Sequence, residues 1–214
     1  MKATHFAHSC VLLETGGARL LLDPGIWSTG FEDLRDLDAV LITHRHPDHF
    51  DLDRLAALLA ANQHAELVVG PGTDAEVAEA GLAARTVAPG DALEVAGVAV
   101  TVVGGEHASI HPEVEVPPNV GFVVGHGAFY HPGDSLVVPE QAIDVLGLPT
   151  GAPWLKLSEA VEFFRAVAPR VAVPIHERTL SAAGIGVTHQ RFHDLAPKGA
   201  TVNVLPKGET VDLG

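Results

Sequence analysis

Three histidines and an aspartate lie close together in the stretch THRHPDH. They offer imidazole nitrogens and a carboxylate, ligands that suit zinc and other first-row divalent metals: His44, His46, Asp48 and His49. Pro47 cannot donate a ladder hydrogen bond, so the apolar run before the motif must end here and the chain must turn. On such a turn, His44 and His46 can converge on one cation. Asp48 and His49 then reach toward a second cation.

The motif H-x-H-x-D-H resembles the signature of the metallo-β-lactamase superfamily. The alternative is a polar loop of solvated histidines, but neighbouring imidazoles without a metal would repel one another when protonated. The resemblance implies an α/β fold, a four-layer αβ/βα sandwich of two mixed β-sheets flanked by helices. It also implies a dinuclear metal site at one edge of the sheets. Later residues match the family's ligands in the same order along nearly the whole chain.

The resemblance supplies three further ligands, each after an apolar run. His107 in VVGGEHASIHP matches the family's third histidine, and we prefer it to His111 because it lies nearer the end of the strand. Asp134 in FYHPGDS matches the aspartate that bridges the two metals, with an Asx turn as the alternative. His176 in VAVPIHE matches the last ligand, with a buried core histidine as the alternative. The expected metal ligands are His44, His46, Asp48, His49, His107, Asp134 and His176.

Three other residues are expected beside the ligands or the substrate. Asp23 in LLLDPG resembles the family's early aspartate, and a carboxylate that accepts an imidazole N–H orients a ligand histidine. His8 in FAHSC resembles the Gly-His-Ala-like start of the lactonase-like branch, although Ala7 replaces the glycine. A packing role is the alternative for His8. His131 is expected to lie near the ligands or to pack, and not to bind metal.

These residues must be positioned by strands, because the ligand loops follow apolar runs. Short apolar runs predict strands at Val11–Leu13, Ala18–Leu22, Ala39–Thr43, Leu67–Val69, Val98–Val103, Gly121–Val124, Ala128–Tyr130, Val171–Ile175 and Thr201–Leu205. Helices are predicted at Asp53–Gln63, Ala75–Ala80, Glu140–Leu146, Glu159–Val167 and Gln190–Leu195. Asp51 and Ser158 are predicted N-caps, and Gly81 and Gly147 predicted C-terminal stops. Together, these strands and helices predict mixed β-sheets covered by helices.

Composition narrows the classes of function. With 214 residues and 47% hydrophobic content, we expect one domain spanning residues 1–214. The net charge of −14 argues against a nucleic-acid partner. No membrane-span or signal-peptide pattern is present, so we expect no membrane partner and a cytoplasmic location. Cys10 is the only cysteine, so a metal must rely on nitrogen and oxygen ligands.

The ligand set predicts a metal-dependent hydrolase. Two divalent cations that share a bridging hydroxide lower its pKa, and the hydroxide attacks an ester, lactone or phosphodiester bond. Asp134 and Asp48 are the expected catalytic groups, which orient the nucleophile and pass on a proton. Order and spacing resemble the branch that contains L-ascorbate 6-phosphate lactonase. We expect zinc, with manganese, iron or nickel as alternatives, and a small-molecule substrate.

Other classes stay open at this point. The same ligands could hold iron in an oxidoreductase, since the superfamily includes such proteins. The site could also stabilise a binding protein that catalyses nothing. The sequence does not set the oligomeric state, and a homo-oligomer is compatible with it.

Overall fold

Two seven-stranded β-sheets face one another in the computed structural model, which describes residues 1–214. The strands are β1 (Lys2–His5), β2 (Val11–Thr15), β3 (Ala18–Leu22), β4 (Ala39–Ile42), β5 (Glu66–Val69), β6 (Arg85–Thr86), β7 (Ala92–Val95), β8 (Val98–Gly104), β9 (Val120–Val124), β10 (Phe129–His131), β11 (Val145–Pro149), β12 (Val171–Ile175), β13 (Thr201–Val202) and β14 (Thr210–Asp212). The first sheet has the order β14-β1-β2-β3-β4-β5-β6 and the second β13-β12-β11-β10-β9-β8-β7. Both sheets mix parallel and antiparallel pairs.

Four helices cover the outer faces of the sheets. They are α1 (Leu52–Ala61), α2 (Asp74–Glu79), α3 (Leu157–Val167) and α4 (Ala182–Leu195). Helices α1 and α2 pack on the first sheet through Leu55 and Val77, and α3 and α4 pack on the second through Phe164 and Phe192. A third cluster of apolar side chains fills the space between the sheets. The predicted four-layer αβ/βα sandwich is therefore confirmed.

Strand β3 illustrates why these residues form this architecture. Successive side chains of a strand point to opposite faces, so Leu20 and Leu22 join the core between the sheets. Leu21 points outward and packs in the cluster under α1. All three leucines are buried, and each contributes roughly 1.5–3 kcal/mol by leaving water. A strand that is buried on both faces reads as a continuous apolar run, as β3 does.

The predicted helix Glu140–Leu146 is wrong. Residues 140–144 belong to no helix or strand, and Val145–Pro149 forms β11, a parallel strand between β10 and β12. All five residues of β11 are buried, and a short apolar run of this kind cannot be told from a buried helix by periodicity. Gly147 lies inside this strand and ends no helix.

Some of the predicted helix ends are confirmed and others are wrong. Asp51 caps α1, its side chain accepting from the backbone N–H of Arg54, and Gly81 follows α2 with φ +76°. Ser158 is not an N-cap, because α3 already begins at Leu157 after Lys156. Helix α4 begins at Ala182, well before the predicted Gln190. None of the four helices is long and apolar enough to cross a membrane.

Candidate metal centre

Eight side chains from loops that follow strands gather in two adjoining groups. One group contains His44, His46, His107 and Asp134, and the other contains His8, Asp48, His49 and His176. Within each group, one potential ligand atom per residue lies within 4.8 Å of the others. The structure thus brings together all seven expected ligands. His111 belongs to neither group: it is exposed, and its Nδ1 accepts the backbone N–H of Glu113 at 3.2 Å.

Asp134 links the two groups. Its Oδ2 lies 3.2 Å from Nε2 of His107, in the first group. Its Oδ1 lies 2.9 Å from Nε2 of His49 and 3.0 Å from Nε2 of His176, in the second. Asp134 as a whole is only 3% exposed. One oxygen therefore faces each group, the arrangement that a ligand shared by two cations requires.

Four of the histidines turn Nε2 toward the centre because Nδ1 is held elsewhere. The Nδ1 contacts are Thr43 Oγ1 for His44 (3.0 Å), Asp23 Oδ2 for His49 (2.7 Å), Ala108 O for His107 (2.6 Å) and Gly151 O for His176 (2.8 Å). Each contact satisfies the proton on Nδ1, so Nε2 is the ring nitrogen that can bind a cation. Outer hydrogen bonds of this kind fix the tautomer and the orientation of metal-ligand histidines.

Several of the inward-facing atoms have no hydrogen-bond partner within the protein. They are Nε2 of His107, Nε2 of His176 and Oδ1 of Asp134, all buried. A buried polar atom without a partner costs about 1–3 kcal/mol, so three such atoms in one place are expected where a cation binds. Zinc bonds of about 2.0–2.2 Å place tetrahedral ligands roughly 3.3–3.6 Å apart, close to the separations seen here. The residues therefore fit divalent cations.

The charges of the groups fit the same role. Burial lowers the pKa of His44 well below its ordinary value, with His49 adding to the effect, so His44 is neutral. Burial opposes a charge on His176 as well, but Asp134 and Asp48 outweigh it and raise the pKa of His176 to about 9. Burial also raises the pKa of the Asp134 carboxyl, but His176 and His49 bring it well below its usual range. A cation that binds in the second group therefore displaces a proton from His176.

Asp23 holds one histidine of each group. Its Oδ1 accepts the backbone N–H of Thr43 at 2.8 Å, and its Oδ2 accepts the Thr43 hydroxyl at 2.7 Å. Oδ2 also contacts Nδ1 of His49 at 2.7 Å, while the Thr43 oxygen contacts His44. Asp23 is fully buried and has φ +46°. This left-handed conformation is unfavourable for aspartate and persists only because the surrounding contacts hold the residue in place. It thus orients His49 directly and His44 through Thr43.

His8 lies within the second group but donates a hydrogen bond there. Its Nδ1 accepts the backbone N–H of Arg178 at 3.3 Å, so the proton is on Nε2, which contacts Asp48 Oδ2 at 2.9 Å. Burial lowers the pKa of His8 to about 3, so the ring is neutral. His8 therefore holds Asp48 and has no free lone pair for a metal. Ala7 has φ +72°, a left-handed conformation that glycine adopts more readily than alanine.

The turn that carries Asp134 is held by two buried residues. His131 donates from Nε2 to the carbonyl of Ser9 at 2.8 Å, and its Nδ1 accepts the backbone N–H of Gly133 at 3.2 Å. Asn119 accepts the backbone N–H of Asp134 at 3.0 Å. A Cβ at Gly133 would lie 2.2 Å from Asn119 Oδ1, so the turn requires glycine. His131 thus braces the site without facing it.

Sequence reasoning missed three residues of this site. Asn119 and Thr43 were not singled out, and the contact of Trp154 with Asp134 was not foreseen; that contact joins Nε1 to Oδ2 at 2.8 Å. The only local signal for Thr43 is its position between the buried strand β4 and His44. Asn119 follows two prolines and gives no comparable signal.

Comparison with known proteins agrees with this geometry. A family model described as Beta-lactamase superfamily domain matches residues 2–176. Protein Rv0786c of Mycobacterium tuberculosis is 46% identical over 215 residues, covering 99% of each chain. A UPF0173 metal-dependent hydrolase of Opitutus terrae is 30% identical over 233 residues, covering 100% of each chain.

A solved structure has the same architecture. Igni18, described as a novel metallo hydrolase from the archaeon Ignicoccus hospitalis, aligns with a TM-score of 0.76 at 25% identity. The alignment covers 98% of this chain and 97% of Igni18. The chain therefore belongs to the metallo-β-lactamase superfamily, and within it to the metal-dependent hydrolases.

Proposed function

We propose that this hydrolase cleaves an ester, lactone or phosphodiester bond of a small molecule, using two divalent cations, with zinc the first candidate. The observation that carries the proposal is the placement of Asp134 between two groups of ligands, with Nε2 of His107 and His176 unpartnered. When bound there, divalent cations supply a water nucleophile at neutral pH and polarise the bond under attack.

The two carboxylates of the centre have different roles in this proposal. The Asp134 side chain is 5% exposed, so it is too buried for a substrate to reach, and its role is to orient the attacking water. Asp48 has an exposure of 16% and is the carboxylate that a substrate can reach. Burial raises the pKa of Asp48, but contacts with His176 and His8 outweigh this effect and keep it ionised. Asp48 is therefore ionised and can accept a hydrogen bond from the attacking water; because its pKa is low, a proton that it takes up passes on readily to the leaving group.

Carbonyl esters and lactones are the first bonds to test. Trp27 lies beside the second group, its ring centroid 4.9 Å from that of His8, and is 40% exposed, which offers an apolar surface to an acyl chain or ring. The net charge of −14 opposes a substrate with several phosphates. Arg45 does not offset this charge, since it pairs with Glu76 at 3.5 Å. The spacing of the ligands also resembles the lactonase-like branch.

A substrate panel tests this function. Zinc-replete protein is assayed with p-nitrophenyl acetate, γ-butyrolactone and bis(p-nitrophenyl) phosphate. We expect turnover of a carbonyl substrate, and Asp134→Asn should remove both zinc and turnover. Protein that holds two zinc ions and hydrolyses none of the three classes contradicts the proposal. Turnover of the phosphodiester alone would move the substrate class to phosphodiesters.

A further inference from the structure

The indole of Trp154 lies against the carboxylate on which both ligand groups converge. Its Nε1 donates to Asp134 Oδ2 at 2.8 Å, and the tryptophan is only 8% exposed. The indole ring centroid lies 6.1 Å from that of His107 and 6.2 Å from that of His176. Trp154 therefore lies beside Asp134 and beside one imidazole of each group.

The turn that carries Trp154 is fixed by the same segment that fixes His176. The backbone N–H of Gly151 donates to the carbonyl of His176 at 3.2 Å, and Nδ1 of His176 donates to the carbonyl of Gly151 at 2.8 Å. A further bond from the N–H of Leu155 to the carbonyl of Ala152, at 3.1 Å, closes the turn around the tryptophan. The position of the indole is thus coupled to the position of a ligand.

The chemistry of the indole limits what it can do. Its N–H is a donor only, so Trp154 can neither bind a cation nor move a proton at physiological pH. Its only polar effect is on Asp134, whose Oδ2 receives the N–H and also faces His107. Oδ1 has no hydrogen-bond partner and faces His49 and His176. The indole N–H therefore fixes the rotation of the Asp134 carboxylate about the Cβ–Cγ bond.

We infer that Trp154 is a positioning residue, whose N–H divides the two oxygens of Asp134 between the two metal sites. The inference rests on the proposed two-metal function. Without this donor, the carboxylate is free to turn toward His49 and His176, which already surround Oδ1. The site formed by His44, His46 and His107 then loses its fourth ligand. The second site retains its own set of ligands.

Zinc titration of metal-free protein against a chromophoric chelator tests the inference. Wild type should bind two equivalents tightly. Trp154→Phe keeps an aromatic ring but lacks the donor, so one equivalent should weaken by about 10–100-fold while the other is retained. Gln190→Met is the matched control, because it also removes a side-chain N–H that donates to a carboxylate, that of Asp194 at 2.8 Å, but outside both ligand groups, and it should leave both affinities unchanged. Two tight equivalents in Trp154→Phe overturn the inference and leave the proposed function intact.

A second measurement keeps the inference testable if Trp154→Phe does not fold. The chain has two tryptophans, so a ¹⁵N-correlated spectrum of Trp27→Phe shows one indole N–H signal, that of Trp154. This proton should exchange slowly with water and shift when zinc is added, because its acceptor then binds a cation. A signal that stays in place while two zinc ions bind overturns the inference. Failure of wild type to bind any zinc overturns the inference and the proposed function together.

Discussion

Individual histidines in this centre are distinguished by which ring nitrogen carries the proton. His107 and His176 each use Nδ1 to donate to a backbone carbonyl, so Nε2 is the nitrogen that faces the centre and can bind a cation. His8 is equally close to the centre, but its Nδ1 accepts an N–H from Arg178 and its Nε2 is a donor. Proximity alone therefore does not make a ligand. The partner of the outer nitrogen decides the role.

The choice between His107 and His111 is directly testable. His107→Ala should lose at least one metal ion per chain, because it removes an inward-facing Nε2 beside Asp134. His111→Ala should retain the full metal content, since His111 is exposed and its side chain accepts a hydrogen bond only from the backbone N–H of Glu113. Elemental analysis of both variants measures the difference. Normal metal content in His107→Ala would remove His107 from the ligand set.

Asp23→Asn should weaken zinc binding by about 10–100-fold, the usual effect of losing an outer hydrogen-bond partner of a ligand. The amide keeps the shape of the side chain, but its NH₂ replaces an oxygen that accepts from the Thr43 hydroxyl and from His49. Chelator competition measures the affinity. Asp33→Asn, on an exposed loop, is the control and should bind zinc like wild type. Equal affinities in both variants would show that Asp23 does not orient the ligands.

The sequence predicted the histidines and aspartates that gather at the centre better than it predicted the residues that hold them in place. A cluster such as THRHPDH is visible because its members are neighbours along the chain. Asn119 lies 15 residues from Asp134, and Trp154 lies 20 residues from it, so neither contact has a local pattern. Their roles arise from the meeting of separate loops. Only the folded arrangement of the strands brings those loops together.

At the scale of elements, the candidate ligands lie on loops that directly follow strands. The predicted bounds of β3 and β12 match the structure, because both strands are continuous apolar runs with clear ends. Strand β11 was predicted as part of a helix, since its apolar residues give no alternation. Edge strands such as β6 and β14 were missed, because they are short and largely exposed. The continuous apolar run of a strand that is buried on both faces is thus the pattern that predicts strands in this sequence.

Helix α4 provides a prediction at this scale. Its first half was missed because Gly184 and Gly186 weaken the helical pattern. A Cβ at Gly186 would meet no atom within 4 Å, so Gly186→Ala should raise the free energy of unfolding by about 0.5–1 kcal/mol. Denaturant unfolding measures this change, and zinc affinity should not change. A loss of stability would mean that the helix requires glycine at this position.

At the scale of the whole molecule, the metal centre joins the two sheets. The loop after β4 of the first sheet brings His44 and His49, and the loops after β8, β10 and β12 of the second bring His107, Asp134 and His176. A cation bound by side chains of both sets of loops would therefore connect the two halves of the sandwich. Because the unfolded chain has no preformed site, we expect such a cation to bind the folded state more tightly and to stabilise it.

Removal of metal should therefore lower the melting temperature. A ligand at 100 times its Kd stabilises the folded state by about 2.7 kcal/mol per site. For a chain of this size, each kcal/mol corresponds to roughly 2–4 °C, so chelation of two sites should lower Tm by roughly 10–20 °C. Thermal unfolding with and without a chelator, followed by readdition of zinc, measures the effect. An unchanged Tm after confirmed metal removal would show that the cations do not join the sheets.

The most direct measurement is the number of metal ions bound per chain. Chelator-stripped protein is dialysed to equilibrium against zinc, and bound metal is counted by elemental analysis. Two zinc ions per chain are expected for wild type, and Asp134→Ala should lose zinc because both groups share this carboxylate. A wild-type protein that binds no metal, or an Asp134→Ala variant that still binds two ions, would contradict the two-metal centre.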